Sequence, residues 1–180
     1  MKDFVFITGN QHKADYLKKW LGVPVEHHKV DLDEIQSLDA RKVVEHKVRQ
    51  AYEVIQKPVL VEDVSFVFEA MGNLPGPLIK WFLEELDVPG LCKLADGLEH
   101  RKARVSIVYA LYDGKRIEYF ESTVRGTISS EPRGTHGFGW NAIFIPEGSS
   151  KTYAEMTDDE VRPYSIRAQA IEKLRVFLEQ

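Results

Sequence analysis

The sequence predicts an α/β fold with a central mixed β-sheet flanked by helices. Three observations lead there. Short apolar runs alternate with segments whose apolar residues recur at helical spacing. The first run, Phe4–Ile7, passes through a tight turn directly into a helical pattern. Farther along, Asp113-Gly114 separates two long strand-type runs, a hairpin signal that adds antiparallel pairing to the sheet.

The elements follow in order. Phe4–Ile7 reads as a buried strand ending in Thr8-Gly9-Asn10, a turn and helix cap. Gln11–Leu21 carries Ala14, Leu17, Trp20 and Leu21 on one helical face. Val23–Val30 reads as a second strand, and Asp31–Asp39 as an acidic loop. Ala40–Ile55 is a helix with Val44, Val48, Ala51, Tyr52 and Ile55 as its stripe. Pro58–Val61 is a short strand ended by Glu62-Asp63, and Val64–Ala70 continues as strand or extended chain. Gly72–Pro77 is loop by composition and leads into a helix over Leu78–Leu86. Val88–Leu91 breaks the chain before a short helix to Leu98. Ala103–Tyr112 and Arg116–Ile128 are the arms of the hairpin, and Ala142–Ile145 is a further strand. Thr157–Glu160 has the capping-box spacing of a short helix. Ser165–Glu179 is the last helix, with Ile166, Ala170, Ile171, Leu174, Phe177 and Leu178 inward.

Bulk properties narrow the function. A length of 180 residues fits one domain. The formal net charge of −4 disfavours a nucleic-acid polymer as partner, because phosphate backbones need a basic face. It leaves room for a small anion held by a few lysines. Cys92 is the only cysteine, so a disulfide within the chain and a cysteine zinc cluster are excluded. That suits a reducing, cytoplasmic setting. The N-terminal apolar run is too short for a signal peptide, and no window has the apolar length of a membrane span.

Four features carry chemistry. The turn Thr8-Gly9-Asn10 precedes a helix N-terminus with Lys13 in its first turn, which suits an anion or is a plain βα connection. Glu62-Asp63 at the end of a buried strand suits Mg²⁺, a hard cation that takes oxygen ligands, or is an acidic turn. Lys47 borders the apolar stripe of its helix, where it snorkels to water or reaches into a cleft. The segment Gly137-Phe138-Gly139-Trp140 presents aromatics that stack on a nucleobase, or that pack on the core of a hairpin. Together they amount to the parts a nucleoside triphosphate requires.

In this combination the chain resembles the inosine triphosphate pyrophosphatase family. The matching motifs are Thr8-Gly9-Asn10-x-x-Lys13, Glu62-Asp63, Leu74-Pro75-Gly76-Pro77-x-Ile79-Lys80, Gly137–Trp140 and Thr152–Met156. The resemblance runs from residue 4 to about residue 178. It implies an elongated fold of two lobes with the active site in the cleft between them, in a single pyrophosphatase domain spanning residues 1–180 and assembled as a homodimer. It implies Mg²⁺-dependent hydrolysis of non-canonical purine triphosphates (ITP, dITP, XTP) to monophosphate and pyrophosphate.

Carried over by position, Thr8, Gly9, Asn10 and Lys13 would hold the phosphates, with Lys47 and Lys80 neutralising their charge. Glu34 and Asp63 would organise Mg²⁺, and Asp63, aided by Glu62, would orient or deprotonate the attacking water. Phe138, Gly139 and Trp140 would frame the base, and Arg167 would donate to its 6-oxo group. Asn141 and Arg162 stand at substrate-binding positions where the family usually has Asp and Lys, and Ile166 stands where His is usual. Those departures imply a weakened or shifted base preference.

Overall fold

The computed structural model describes residues 3–180. Among these, seven strands form one sheet: β1 Val5–Ile7, β2 Glu26–His28, β3 Val59–Phe68, β4 Pro75–Gly76, β5 Lys102–Tyr112, β6 Ile117–Ile128 and β7 Phe144–Pro146. The helices are α1 Gln11–Leu21, α2 Ala40–Ile55, α3 Ile79–Asp96, α4 Asp158–Val161 and α5 Ile166–Leu178. The strand order is β2-β1-β3-β5-β6-β7, with β4 paired to β3. β1 runs parallel to β2 and β3, whereas β4 and β7 pair antiparallel with β3 and β6. The sheet is therefore mixed.

The chain divides into two compact units. The first comprises the residues up to Asp63, Ile107–Ser122 and Arg167–Gln180; the second comprises Val64–Ser106 and Thr123–Ile166. In the first unit, Val44, Val48 and Ala51 of α2 bury against Val5, Ile7, Val59, Val61, Val108 and Ala110 of the strands. Each fully buried valine contributes about 1.5–3 kcal/mol relative to exposure. Side chains start both α1 and α2. Asn10 accepts from the Lys13 amide, and Asp39 accepts from the Arg41 amide at 3.0 Å. Gly22, in the left-handed region at φ 77°, closes α1.

The second unit is built on aromatic packing. Phe66 of β3, Trp140, Phe144 and Tyr153 form a cluster of tilted and edge-on rings with centroids 5.1–6.0 Å apart. Elsewhere in this unit Arg101 joins α3 to the end of β6: its Nε donates to the Ile128 carbonyl at 2.8 Å, and Nη2 donates to the carbonyls of Cys92 and Ser129.

Several expected boundaries differ. The strand expected over Val23–Val30 is only Glu26–His28, because these three residues are exposed and pair with β1 alone. Glu62-Asp63 does not end a strand; β3 continues through both residues to Phe68, each carboxylate having found cations. The helix break falls at Asp87 (φ 55°), just before the expected Val88–Leu91, and the helix ends at Asp96 rather than Leu98. Pro75-Gly76, expected as loop, is a short strand on β3. The strand expected over Ala142–Ile145 starts two residues later, because Gly139–Ala142 winds into a 3-10 turn, closed by the Ile143 amide on the Trp140 carbonyl.

Candidate active site

The first unit gathers most of the predicted charged residues. β1 ends at Ile7, and the chain turns through Thr8-Gly9-Asn10 into α1. The Asn10 amide donates to Thr8 Oγ1 at 3.1 Å, and the Thr8 amide donates to the His28 carbonyl at 2.9 Å. This fixes the turn at the amino end of α1, where amides left over by the helix face outward. Lys13 follows in the first turn.

Glu62 and Asp63 are neighbours on β3, so their side chains leave the strand on opposite faces. Their partners differ accordingly. Glu62 Oε1 accepts from Lys13 Nζ at 3.1 Å and from Arg167 Nη2 at 2.9 Å. Asp63 Oδ1 lies 3.4 Å from Lys47 Nζ, which also donates to Glu34 Oε1 at 3.1 Å and to the Glu62 carbonyl at 3.4 Å. The sequence reading treats the two carboxylates as a pair. The strand separates them into two ion clusters, one with α1 and α5, the other with α2 and the acidic loop.

The electrostatic consequences are opposite. Burial pushes Glu62 up, but Arg167 and Lys13 outweigh it and hold the carboxyl at about 2. Burial also pushes Asp63 up; Lys47 and Lys13 oppose it, Glu34 reinforces it, and the carboxyl settles at about 6. Burial pulls Lys47 down, but Asp63 and Glu34 raise it above its ordinary value. It stays a cation although its side chain is only 12% exposed. Glu34 of the acidic loop is thus tied to the buried ammonium of Lys47.

The chemistry of this donor set admits a hard divalent cation. Glu34 Oε1 and Asp63 Oδ1 both approach Lys47 Nζ, and Asp63 Oδ2 is buried without a hydrogen-bond partner, so oxygen donors stand ready beside that ammonium. Among the described residues, no group of three or more His, Cys, Asp or Glu gathers at one point. A cation there would depend on water and ligand oxygens for its remaining positions, the usual habit of Mg²⁺.

Two tyrosines escaped the sequence reading. Tyr16 of α1 lies under the Arg167 guanidinium, 5.7 Å from its ring centroid. Tyr109 of β5 is fully buried beside Glu62, and its phenol is pushed well above its ordinary value, first by burial and then by Glu62. A phenol in the middle of the apolar run Ala103–Tyr112 was the available signal, since a buried hydroxyl needs polar company.

The second unit places the remaining candidates differently. Trp140 is 6% exposed and packs on Phe66, Phe144 and Tyr153, so its ring belongs to the core cluster. Phe138 is half-buried and precedes it in extended backbone. Gly139 rests near Leu83 of α3. Gly137 has φ +76°, and a methyl group there would meet Asn141 Nδ2 at 2.0 Å. Asn141 therefore lies folded over its own loop. The loop is anchored to the segment Thr152–Met156: Thr152 Oγ1 donates to the Arg133 carbonyl at 2.8 Å, and the amides of Thr135 and His136 donate to the Ala154 carbonyl. Lys80 is 60% exposed, 4.0 Å from Glu84. Arg162 is exposed at the end of α4. Ile166 is buried.

The Ham1 family model matches residues 4–177. An inosine triphosphate pyrophosphatase of Schizosaccharomyces pombe is 41% identical, the match covering 99% of this chain and 96% of that protein. A dITP/XTP pyrophosphatase of Hyperthermus butylicus is 39% identical over 96% of this chain and 93% of its own. Among solved structures, a HAM1 protein from Coxiella burnetii shares the fold with a TM-score of 0.85 at 22% identity, covering 99% of each chain. No helix among the described residues is long and apolar enough to cross a membrane.

Proposed function

Because this chain belongs to the Ham1 family, we propose that it hydrolyses non-canonical purine nucleoside triphosphates, of the ITP, dITP and XTP type, to the monophosphate and pyrophosphate. One water is consumed and the bond cleaved is the α–β phosphoanhydride. The single observation that carries the reading is the cluster Glu34–Lys47–Asp63, which sets a buried cation against two carboxylates in the unit that also holds Lys13.

The residues divide the work as follows. Thr8, Gly9, Asn10 and Lys13 bind the triphosphate, using the amino end of α1 and one ammonium group. Lys47 adds positive charge against the phosphates. Asp63 takes the proton of the attacking water, its Oδ2 being buried with no hydrogen-bond partner of its own. Glu34 and Asp63 would hold Mg²⁺, which when bound would supply positive charge against the triphosphate and acidify a water. Phosphoryl chemistry of this kind is mostly positioning and charge stabilisation, so an array of fixed cations and carboxylates is sufficient machinery.

For the base, Phe138 offers a partly open ring and Arg167 a guanidinium that can only donate. A donor suits the 6-oxo group of hypoxanthine or xanthine and opposes the 6-amino group of adenine. Lys80, Gly139, Trp140, Asn141 and Arg162 complete the proposed binding set, Trp140 by supporting the loop from the core. A homodimer in the cytoplasm is the proposed state, supported by the resemblance and by a lone, buried Cys92.

The test is product analysis with Mg²⁺ and equal concentrations of ITP and ATP. Pyrophosphate and IMP should appear from ITP, far faster than pyrophosphate and AMP from ATP, and a chelator should stop both. Release of orthophosphate alone, or equal rates on the two nucleotides, would overturn the assignment.

A further inference from the structure

Two of the proposed substrate contacts meet on one atom. Glu62 Oε1 accepts from Lys13 of α1 at 3.1 Å and from Arg167 of α5 at 2.9 Å. We propose that Glu62 is a positioning residue that couples the phosphate end of the site to its base end, by holding Lys13 and Arg167 on a single carboxylate oxygen. The inference rests on the reading above, in which Lys13 serves the phosphates and Arg167 the base.

Four observations support it. First, Glu62 is well placed to hold other groups still. It sits within β3 and is 3% exposed, so both its backbone and its side chain are confined. Second, lysine and arginine carry long, flexible side chains whose ordering is costly in entropy. A shared buried anchor meets part of that cost before a ligand arrives, which is preorganisation. Third, two cations share one carboxylate oxygen, so the loss of that oxygen's charge acts on both at once. Fourth, Glu62 and Asp63 belong to different clusters, so Glu62 is not needed to explain water activation.

Tyr16 allows the two ends to be separated. Its ring lies 5.7 Å from the Arg167 guanidinium, and it sits on α1 one turn after Lys13. Replacing Tyr16 should disturb Arg167 while leaving the Lys13–Glu62 contact in place. Replacing Glu62 should disturb both cations.

The experiment uses the full-length protein and three variants: Glu62→Gln, Glu62→Asp and Tyr16→Leu. Inhibition by pyrophosphate reports the phosphate end, since this ligand has no base. The ratio of kcat/KM for ITP to that for ATP reports the base end. Glu62→Gln should raise the pyrophosphate Ki and lower the ITP/ATP ratio, each by about tenfold, the scale of one charge-assisted hydrogen bond. The pH profile of kcat should keep its shape. Glu62→Asp should fall between Glu62→Gln and the natural chain. Tyr16→Leu should lower the ratio about threefold, the scale of one cation–π contact, and leave the Ki unchanged.

Loss of kcat with an altered pH profile, and with Ki and ratio unmoved, would make Glu62 part of the chemistry and overturn the inference. So would a change at only one end in Glu62→Gln. If that variant does not fold, as circular dichroism would reveal, Tyr16→Leu decides: a shift in its pyrophosphate Ki, or an unmoved ratio, contradicts the coupling. A natural chain that hydrolyses ITP and ATP equally would instead remove the base reading itself, and this proposal with it.

Discussion

Lys47 and Trp140 are both side chains that the sequence offers to a ligand, and both are largely buried, but burial means different things in the two units. Lys47 is buried as an ion. Its ammonium is held between Glu34 and Asp63, and it keeps its charge because those partners exceed the penalty of burial. Trp140 is buried as a hydrophobe, packed by three rings of the core. The first unit therefore stores electrostatic potential in fixed side chains. The second stores shape, in a loop whose conformation depends on Gly137, Asn141 and the anchor at Thr152–Met156. Substitutions in the first should act on turnover and pH dependence, and those in the second on stability or selectivity.

The largest effect on folding should come from Trp140→Ala. Emptying the aromatic cluster should cost about 3–5 kcal/mol, measured by chemical denaturation. The neighbouring Phe138→Ala should barely move the denaturation midpoint but should raise KM for ITP, with a loss of about 1–3 kcal/mol in binding. If Phe138→Ala proved the more destabilising of the two, the division between support and contact within this loop would be reversed.

The adjacent carboxylates of β3 make the sharpest internal contrast, because their contributions to stability have opposite signs with pH. Glu62 is depressed to about 2. Its stabilisation is present above the ordinary carboxylate value of 4.5 and is lost as pH falls toward 2. Asp63 is raised from 3.8 to about 6. Its folded state favours the protonated form, so stability declines as pH rises from about 4 through 6, by on the order of 2–3 kcal/mol. In metal-free buffer, Asp63→Asn should remove the decline between pH 4 and 7, and Glu62→Gln should flatten the acid limb. Identical pH profiles for the natural chain and both variants would contradict the two-cluster description.

The smallest effect should be at Asn141. Asn141→Asp exchanges a group that donates and accepts for one that only accepts. A change of a few-fold in the ITP/ATP ratio is expected, on the order of 0.5–1 kcal/mol for one hydrogen bond. An unchanged ratio would mean that Asn141 acts only by packing over Gly137.

Much of this was legible in the sequence. The long periodic helix over Ala40–Ile55 has those bounds in the structure, since its stripe and its Asp39 cap agree. The turn Thr8-Gly9-Asn10 and the capping box at Thr157 were readable for the same reason: local chemistry fixes them. What was not legible depended on tertiary partners. Glu62-Asp63 looked like the end of a strand because charges rarely sit inside one. Only Lys13, Arg167 and Lys47, each distant in sequence, make a continuous β3 tolerable. The acidic loop gave no sign of which carboxylate would meet Lys47. The glycine-aromatic segment by itself read as a packed hairpin or a base clamp, the resemblance pointed to the clamp, and Trp140 packs in the core because Phe66, Phe144 and Tyr153 surround it. Tyr16 and Tyr109 were missed because one tyrosine in an amphipathic or apolar run looks like any other aromatic.

The central claim is that the Glu34–Lys47–Asp63 cluster performs the hydrolysis. The most direct test is kcat for pyrophosphate release from saturating ITP and Mg²⁺, compared between the natural chain and Asp63→Asn. Loss of the proton acceptor should lower kcat by about 10²–10⁴-fold, while the thermal midpoint at pH 8 stays level or rises, because a buried charge has been removed. Retention of kcat within a few-fold, in a variant that is folded, would contradict the account.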